Sequence, residues 1–371
     1  MIQSSRRHDG GVRDTPYLVI DEQLLEANLA AMANHARRLG VALRPHAKTH
    51  KSVEIARRQL AHGAVGLTVA TVAEAEVFAD AGFDDLFIAY PIWAEGPRAS
   101  RLRALAGRVR LRIGVDSIEG ARMLAQAVTG GEHPAPLAVA IEVDSGHHRT
   151  GVAPEQAGIV AAAAAEYGLA VDGVFTFPGH SYAPDGRASA AHDEAHALEE
   201  ARESLLGLGL ACPVVSGGST PSADAAEGKA AGGVLSELRP GVYPFFDSQQ
   251  WELGTVGPAR IALTAVATVV SVRGSRAVVD AGNKVLGADR AAYASGFGRL
   301  PAAPEARIVA LSEHHATIEF ENAESAPPLG TRLRIAPNHV CTAINLADEL
   351  VIERFGRETA VWRVDARGAN T

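Results

Sequence analysis

Arg44-Pro45-His46-Ala47-Lys48-Thr49-His50-Lys51 sets five basic side chains within eight residues. A lysine pressed among other cations has its ammonium form disfavoured, and the freed amine can attack a carbonyl as a Schiff-base lysine must. A solvated basic loop is the alternative. Val215-Ser216-Gly217-Gly218-Ser219-Thr220 and Arg239-Pro240-Gly241-Val242-Tyr243 combine glycines, which let backbone N–H groups approach an anion, with hydroxyl donors. They read as a phosphate cup, or as flexible turns. Glu142-Val143-Asp144-Ser145-Gly146-His147-His148-Arg149-Thr150-Gly151-Val152 and Gly179-His180-Ser181-Tyr182 supply an arginine that could hold an anionic oxygen and imidazoles that could lie over a ring. Structural histidines are the plainer reading. In Pro337-Asn338-His339-Val340-Cys341, an extended backbone would turn His339 and Cys341 the same way, as one cation would require. Two ligands cannot close a structural zinc site, so the pair implies a catalytic metal with open positions or no metal.

The elements that must position these groups follow from the periodicity. Short apolar runs recur at Ala42–Arg44, Gly66–Val69, Leu86–Ile88, Arg110–Val115, Ala138–Val143, Gly173–Thr176, Val214–Ser216 and Glu237–Pro240. Alanine-rich helical segments such as Val72–Ala81 and Pro154–Tyr167 lie between them. Eight βα units predict a TIM-type (β/α)8 barrel over residues 21–251, whose chemistry sits on the loops after the strands. The candidate motifs fall there, and the cup occupies the loops after the seventh and eighth strands. Beyond Trp251 the runs Ala262–Val272, Ala277–Asp280, Arg307–Leu311, Ala316–Phe320, Arg332–Ile335 and Val361–Val364 lack comparable helices. They predict a mainly antiparallel β domain over residues 252–371, joined by the strand at 16–20.

Composition narrows the function. The 371 residues carry 35 Lys+Arg against 43 Asp+Glu, a net charge of -8, and no basic block interleaved with aromatics, so nucleic acid is not an expected partner. The longest apolar stretch, Ile159–Ala165, is far short of the ~20 residues that cross a bilayer, and the opening residues lack an apolar signal core. Neither membrane insertion nor secretion is expected. Two distant cysteines, Cys212 and Cys341, make no disulfide framework and suit a reducing cytoplasm.

Taken in order, these segments resemble the fold-type III pyridoxal-phosphate enzymes, in the group of D-threonine aldolases, D-serine dehydratases and D-3-hydroxyaspartate dehydratases. The resemblance spans nearly the whole chain. It is carried by Arg44–Ser52, Thr68–Gly82, Glu142–Val152, Gly179–Tyr182, Ser216–Thr220, Glu237–Asp247, Asp280–Asp289 and Pro337–Cys341. It implies that Lys48 is the cofactor lysine, with Arg149 near the cofactor 3′-oxygen, His180 against the ring and Arg239 near the ring nitrogen. Ser216, Gly217, Gly218, Ser219, Thr220, Gly241, Val242 and Tyr243 would surround the phosphate, and Tyr182 joins the cofactor residues. His339 and Cys341 would hold a divalent cation, zinc by ligand type, with manganese an alternative. The chain departs from the group at Glu313-His314-His315-Ala316, where Glu-His-Gly is usual, and at Asn283, where serine is common.

The expected substrate is a D-3-hydroxy amino acid. A cation on its β-hydroxyl favours either loss of water, leading to a 2-oxo acid and ammonia, or retro-aldol cleavage to glycine and an aldehyde. In this group His-x-Cys goes more with dehydratases and His-x-Asp with aldolases, which points to elimination. A racemase would need a second base, normally a tyrosine in a Gly-Tyr-x-Asp-Gly-like context, and Tyr293, the one tyrosine after Tyr243, has no such context. A non-catalytic cofactor carrier would lack the β domain. A homodimer is the expected assembly.

Overall fold

The structure, a computed structural model, describes residues 13–129, 137–226, 228 and 233–371. The chain divides into two units: a barrel unit (Leu25–Pro244, Leu253–Val256 and Arg363–Thr371) and a β unit (Met1–Leu24, Phe245–Glu252 and Gly257–Trp362).

After β1 (Tyr17–Asp21), which belongs to the β unit, come the barrel strands β2 (Ala42–Leu43), β3 (Leu67–Val69), β4 (Asp85–Pro91), β5 (Arg110–Val115), β6 (Ala138–Glu142), β7 (Ala170–Phe175), β8 (Val214–Gly217) and β9 (Glu237–Leu238). All pair in parallel, in the order β2-β9-β8-β7-β6-β5-β4-β3. Each expected strand is present within a few residues. Pro45 has no N–H and ends β2 after two residues. The His46–Thr68 bridge then joins the two ends of the sheet, with Ala47 N–H on Thr68 O at 2.7 Å and Thr68 N–H on Pro45 O at 2.9 Å. Helices α1 (Glu22–Leu39), α2 (Val53–Ala61), α3 (Val72–Asp80), α4 (Pro97–Ala106), α5 (Ile118–Thr129), α6 (Ala157–Glu166) and α7 (Arg187–Gly207) fill the connections. α3 starts where the N-cap Thr71 Oγ1 accepts Glu74 N–H at 2.9 Å, while the Glu74 carboxylate accepts Ala70 N–H, one residue before the N-cap, at 2.7 Å.

Inside the barrel, polar and aromatic layers alternate. Glu237 accepts from Arg44 Nε at 2.7 Å, Arg112 at 3.2 Å and Ser216 Oγ at 2.7 Å, and Arg44 also meets Asp85 at 2.6 Å. A carboxylate so enclosed is tolerable only because its oxygens are paired. The Phe87 and Phe175 rings meet edge to face with centroids 5.0 Å apart. Gly114 makes room for them, since a Cβ there would lie 2.6 Å from Phe175 Cζ.

The β unit contains α8 (Ser248–Glu252), β10 (Leu263–Arg273), β11 (Arg276–Val279), α9 (Asn283–Leu286), β12 (Gly298–Arg299), β13 (Arg307–Leu311), β14 (Ala316–Glu319), β15 (Arg332–Pro337), α10 (Val340–Leu346), β16 (Glu349–Arg354) and β17 (Arg357–Arg363). The long strand β10 organises it: the first half pairs with β1 and β15, and the second, beyond a bulge between Val269 and Ser271, with β11. β1 pairs antiparallel with β10 and in parallel with β16. Tyr17–Ile20 pairs into this sheet. No helix among the described residues is long and apolar enough to cross a membrane.

Candidate active site

Lys48 rides on the β2–α2 loop, between the fully buried Ala47 and Thr49. Its ammonium lies 5.6 Å from the Phe177 ring centroid, and the Arg149 guanidinium lies 5.4 Å from the same centroid. His46 senses the crowding of cations: burial first, then Lys48, Arg239, His50 and Arg149, hold its pKa well below the ordinary value. The basic segment is therefore not a solvated loop. Lys51 adopts the left-handed backbone region (φ 49°) to turn the chain, and the C-terminal segment secures that turn. Ala366 N–H donates to Lys51 O at 2.9 Å, Lys51 Nζ donates to Asn370 Oδ1 at 2.8 Å, and Asp365 caps α2 by accepting Val53 N–H at 2.8 Å.

Arg239, at the end of β9, is buried over Phe175 and Phe87, with centroid distances of 5.1 and 5.5 Å. One guanidinium nitrogen donates to Thr176 O, and its Nε has no partner among the described residues. Burial outweighs the field of Glu237, Glu194 and Glu142 and brings its pKa down to about 10. His180 lies on the loop after β7, with Nε2 3.2 Å from Asp193 and a buried Nδ1 that has no partner among the described residues. Tyr182 stacks obliquely 6.2 Å from Phe177.

The cup has a definite hydrogen-bond polarity. Thr220 Oγ1 accepts Val242 N–H at 3.0 Å and Tyr243 N–H at 3.2 Å, so its own proton is left to donate elsewhere. Ser219 Oγ shares protons with Ser181 Oγ (2.9 Å) and Ser222 Oγ (2.8 Å). Gly218 takes a left-handed turn (φ +83°), and a Cβ there would lie 2.2 Å from Leu238 Cδ1. Gly241 likewise has Thr49 Oγ1 2.9 Å from where a Cβ would stand. Ser216 behaves differently: its hydroxyl is held by Glu237 inside the barrel, and Gly217 packs on Glu194. Donated hydroxyl protons, an orphaned buried Arg239 N–H and a nearby lysine fit a phosphorylated pyridine aldehyde.

In the β unit, His339 and Cys341 do come together, though not through an extended backbone. β15 ends at Pro337, His339 is the N-cap of α10, and Cys341 lies in that helix's first turn. The helix starts here because Asp247, a distant residue, accepts Val340 N–H at 3.1 Å. The Cys341 thiolate, opposed by burial, raises His339 to about 10. Imidazole and thiolate side by side are the donor types that suit a borderline-soft divalent cation. Asp289 accepts from His339 Nδ1 at 2.8 Å and from Thr342 Oγ1 at 2.7 Å, which leaves Nε2 for a metal. Among the described residues no set of three or more His, Cys, Asp or Glu converges as a ligand cage. The donors thus fit a cation with open positions. His314 and His315 are exposed in the β13–β14 turn, which packs on Gly282.

Phe177, Glu194 and Asp289 escaped the sequence reading. Phe177 stands two residues before Gly179-His180 and Asp289 closes the Asp280–Asp289 motif, so both were within reach; Glu194 has no local signal.

Residues 20–249 match the family model described as alanine racemase, N-terminal domain, and residues 262–352 match the putative serine dehydratase domain. The chain is 36% identical over 353 residues to D-threo-3-hydroxyaspartate dehydratase of Delftia sp. (strain HT23), covering 88% of this chain and 91% of that one. It is 35% identical over 368 residues to D-threonine aldolase of Arthrobacter sp., covering 96% and 93%. Among solved structures, a cysteine-to-alanine variant of D-threo-3-hydroxyaspartate dehydratase in its metal-free form superposes with a TM-score of 0.85 at 32% identity, covering 94% of this chain and 97% of that one.

Proposed function

The chain belongs to the fold-type III pyridoxal-phosphate family that joins an alanine racemase N-terminal domain to a serine dehydratase domain, and on that premise we propose that it dehydrates D-3-hydroxy amino acids. The proposed substrates are of the D-serine or D-3-hydroxyaspartate type. Loss of the β-hydroxyl as water, tautomerisation and hydrolysis give a 2-oxo acid and ammonia.

Lys48 would hold the cofactor through its aldehyde, and its amine is placed to move the substrate's α-proton. Arg239 presents its unpartnered N–H to the ring nitrogen, Arg149 holds the ring's oxygen, and His180 steadies the ring. Ser219, Thr220, Gly241 and Tyr243 receive the phosphate, with Gly217, Gly218 and Val242 shaping the turn. Bound there, pyridoxal phosphate supplies an electron sink for the bond broken at the α-carbon. A zinc or manganese ion held by His339 and Cys341 would polarise a substrate hydroxyl at an open position. Asp289 holds Nδ1 of the imidazole, so Nε2 is the nitrogen that would be available to that ion.

The observation that carries the elimination reading is the pairing of an Asp289-anchored His339 with a thiolate rather than a second carboxylate. A dehydratase relative solved as a metal-free Cys→Ala variant supports a cysteine near the metal. The nearly equal likeness to a D-threonine aldolase favours one second reading, retro-aldol cleavage to glycine and an aldehyde. Racemisation is disfavoured because Tyr293, the one tyrosine after Tyr243, stands in Ala-Ala-Tyr-Ala-Ser and not in a Gly-Tyr-x-Asp-Gly-like context. We place the enzyme in the reducing cytoplasm, where two cysteines outside any disulfide are stable, as a homodimer.

The test is chemical trapping. The purified protein should show a visible cofactor band that borohydride erases, leaving the cofactor's mass on the peptide containing Lys48. Labelling of another lysine, or no band after adding cofactor, would overturn the assignment.

A further inference from the structure

Four buried groups form a hydrogen-bond chain whose direction is fixed at one end. Ser52 N–H donates to His50 Nδ1 at 3.1 Å, so the neutral imidazole carries its proton on Nε2. That Nε2 lies 3.1 Å from Gln59 Oε1, which must accept; turning the amide over would set two donors against each other. Gln59 Nε2 then donates to Tyr243 Oη at 3.1 Å. The tyrosine hydroxyl is an acceptor in this bond, and its own proton must be directed elsewhere. Gln59 is its only hydrogen-bond partner among the described residues.

Nothing in the surroundings loosens this order. Ser52 and His50 are 0% exposed, and Gln59 and Tyr243 1%. An imidazolium would place a second donor against Ser52 N–H, and burial keeps His50 neutral down to about pH 4. Thr220 follows the same rule from the other side of the cup, accepting two backbone protons and donating its own.

We propose that His50 and Gln59 are positioning residues that orient the Tyr243 hydroxyl as a proton donor to the cofactor's phosphate. The proposal rests on the cofactor reading above and extends it to two residues, on the lysine loop and on α2, that act only through Tyr243. A cup that presents protons selects a group that only accepts, as a phosphate dianion does.

The test is a double-mutant cycle on cofactor affinity, measured by absorbance titration of the apoprotein with pyridoxal phosphate. Gln59→Met and Tyr243→Phe should each raise Kd about tenfold to a hundredfold, the loss of one hydrogen bond to a charged group. In the Tyr243→Phe background Gln59→Met should have no further effect. If it weakens binding equally in both backgrounds, or in neither, the relay is wrong. The unmutated protein provides a second check: ¹⁵N-histidine spectra should show His50 as the Nε2–H tautomer from pH 6 to 8, and the Nδ1–H tautomer would reverse the chain and sink the proposal. Failure of the wild-type protein to bind the cofactor would remove the cofactor reading and this inference together, whereas wild-type binding untouched by Gln59→Met removes the inference alone.

Discussion

The barrel mouth and the cation pair of the β unit solve opposite problems. In the barrel, nearly every functional group is buried and already oriented by another: Thr220 by two backbone donors, Tyr243 by Gln59, and the Lys48 loop by the C-terminal segment. In the β unit, the side chains of His339 and Asp289 remain 35% and 42% exposed, and the proposed ligand pair has one anchoring carboxylate, Asp289. Groups held with this much support suit a resident cofactor; a sparse, wet pair suits an ion that exchanges and leaves positions for a substrate. The two regions should therefore respond differently to the same treatments.

Chelation should separate them most sharply. EDTA should abolish turnover while leaving the visible cofactor band and the melting profile nearly unchanged, because two ligands do not hold a domain together. Unfolding on chelation, or an undiminished rate, would erase the distinction. Asp289→Asn should come next: by releasing His339 Nδ1 from a carboxylate it should weaken metal affinity about 10–100-fold in calorimetric titration, with cofactor affinity unchanged. Gly218→Ala should do the converse. A side chain at φ +83° beside Leu238 should cost about 1–3 kcal/mol in denaturant unfolding and weaken cofactor binding, with metal affinity intact.

The smallest effect on activity should come from Glu194, whose carboxylate takes Gly218 N–H at 2.5 Å. Burial raises its pKa to about 7 from an ordinary 4.5, so the folded state binds the proton more tightly than the unfolded state. Stability should then fall as pH rises from about 4.5 to 7, by about 3 kcal/mol from this group. Glu194→Gln keeps an acceptor for Gly218 and should flatten that part of the melting temperature profile against pH. An unaltered slope would show that the carboxyl is not held neutral.

Much of this was legible in the sequence, for a physical reason. Parallel strands covered on both faces read as uninterrupted apolar runs, so Leu86–Ile88 and the Ala138–Ile141 part of Ala138–Val143 announced themselves, and the loops after them could be searched for polar groups. β16 did not, because Glu349–Arg354 flanks a short Leu-Val-Ile core with charges and matches no alternation. The backbone at Pro337–Cys341 was misjudged because α10 is started by Asp247, some ninety residues away. Gln59 and Glu194 share that cause: each acts through a partner that only the fold brings near.

The central claim is that this chain breaks the bond from the β-carbon to oxygen in a D-3-hydroxy amino acid. Incubating the cofactor-loaded protein with D-3-hydroxyaspartate, D-serine and D-threonine, with and without added divalent cation, and measuring ammonia, 2-oxo acid, glycine and aldehyde tests it directly. The account predicts equal amounts of ammonia and 2-oxo acid, formed only with the cation. Glycine and aldehyde as the main products, or exchange of the α-proton with racemisation and no cleavage, would contradict it.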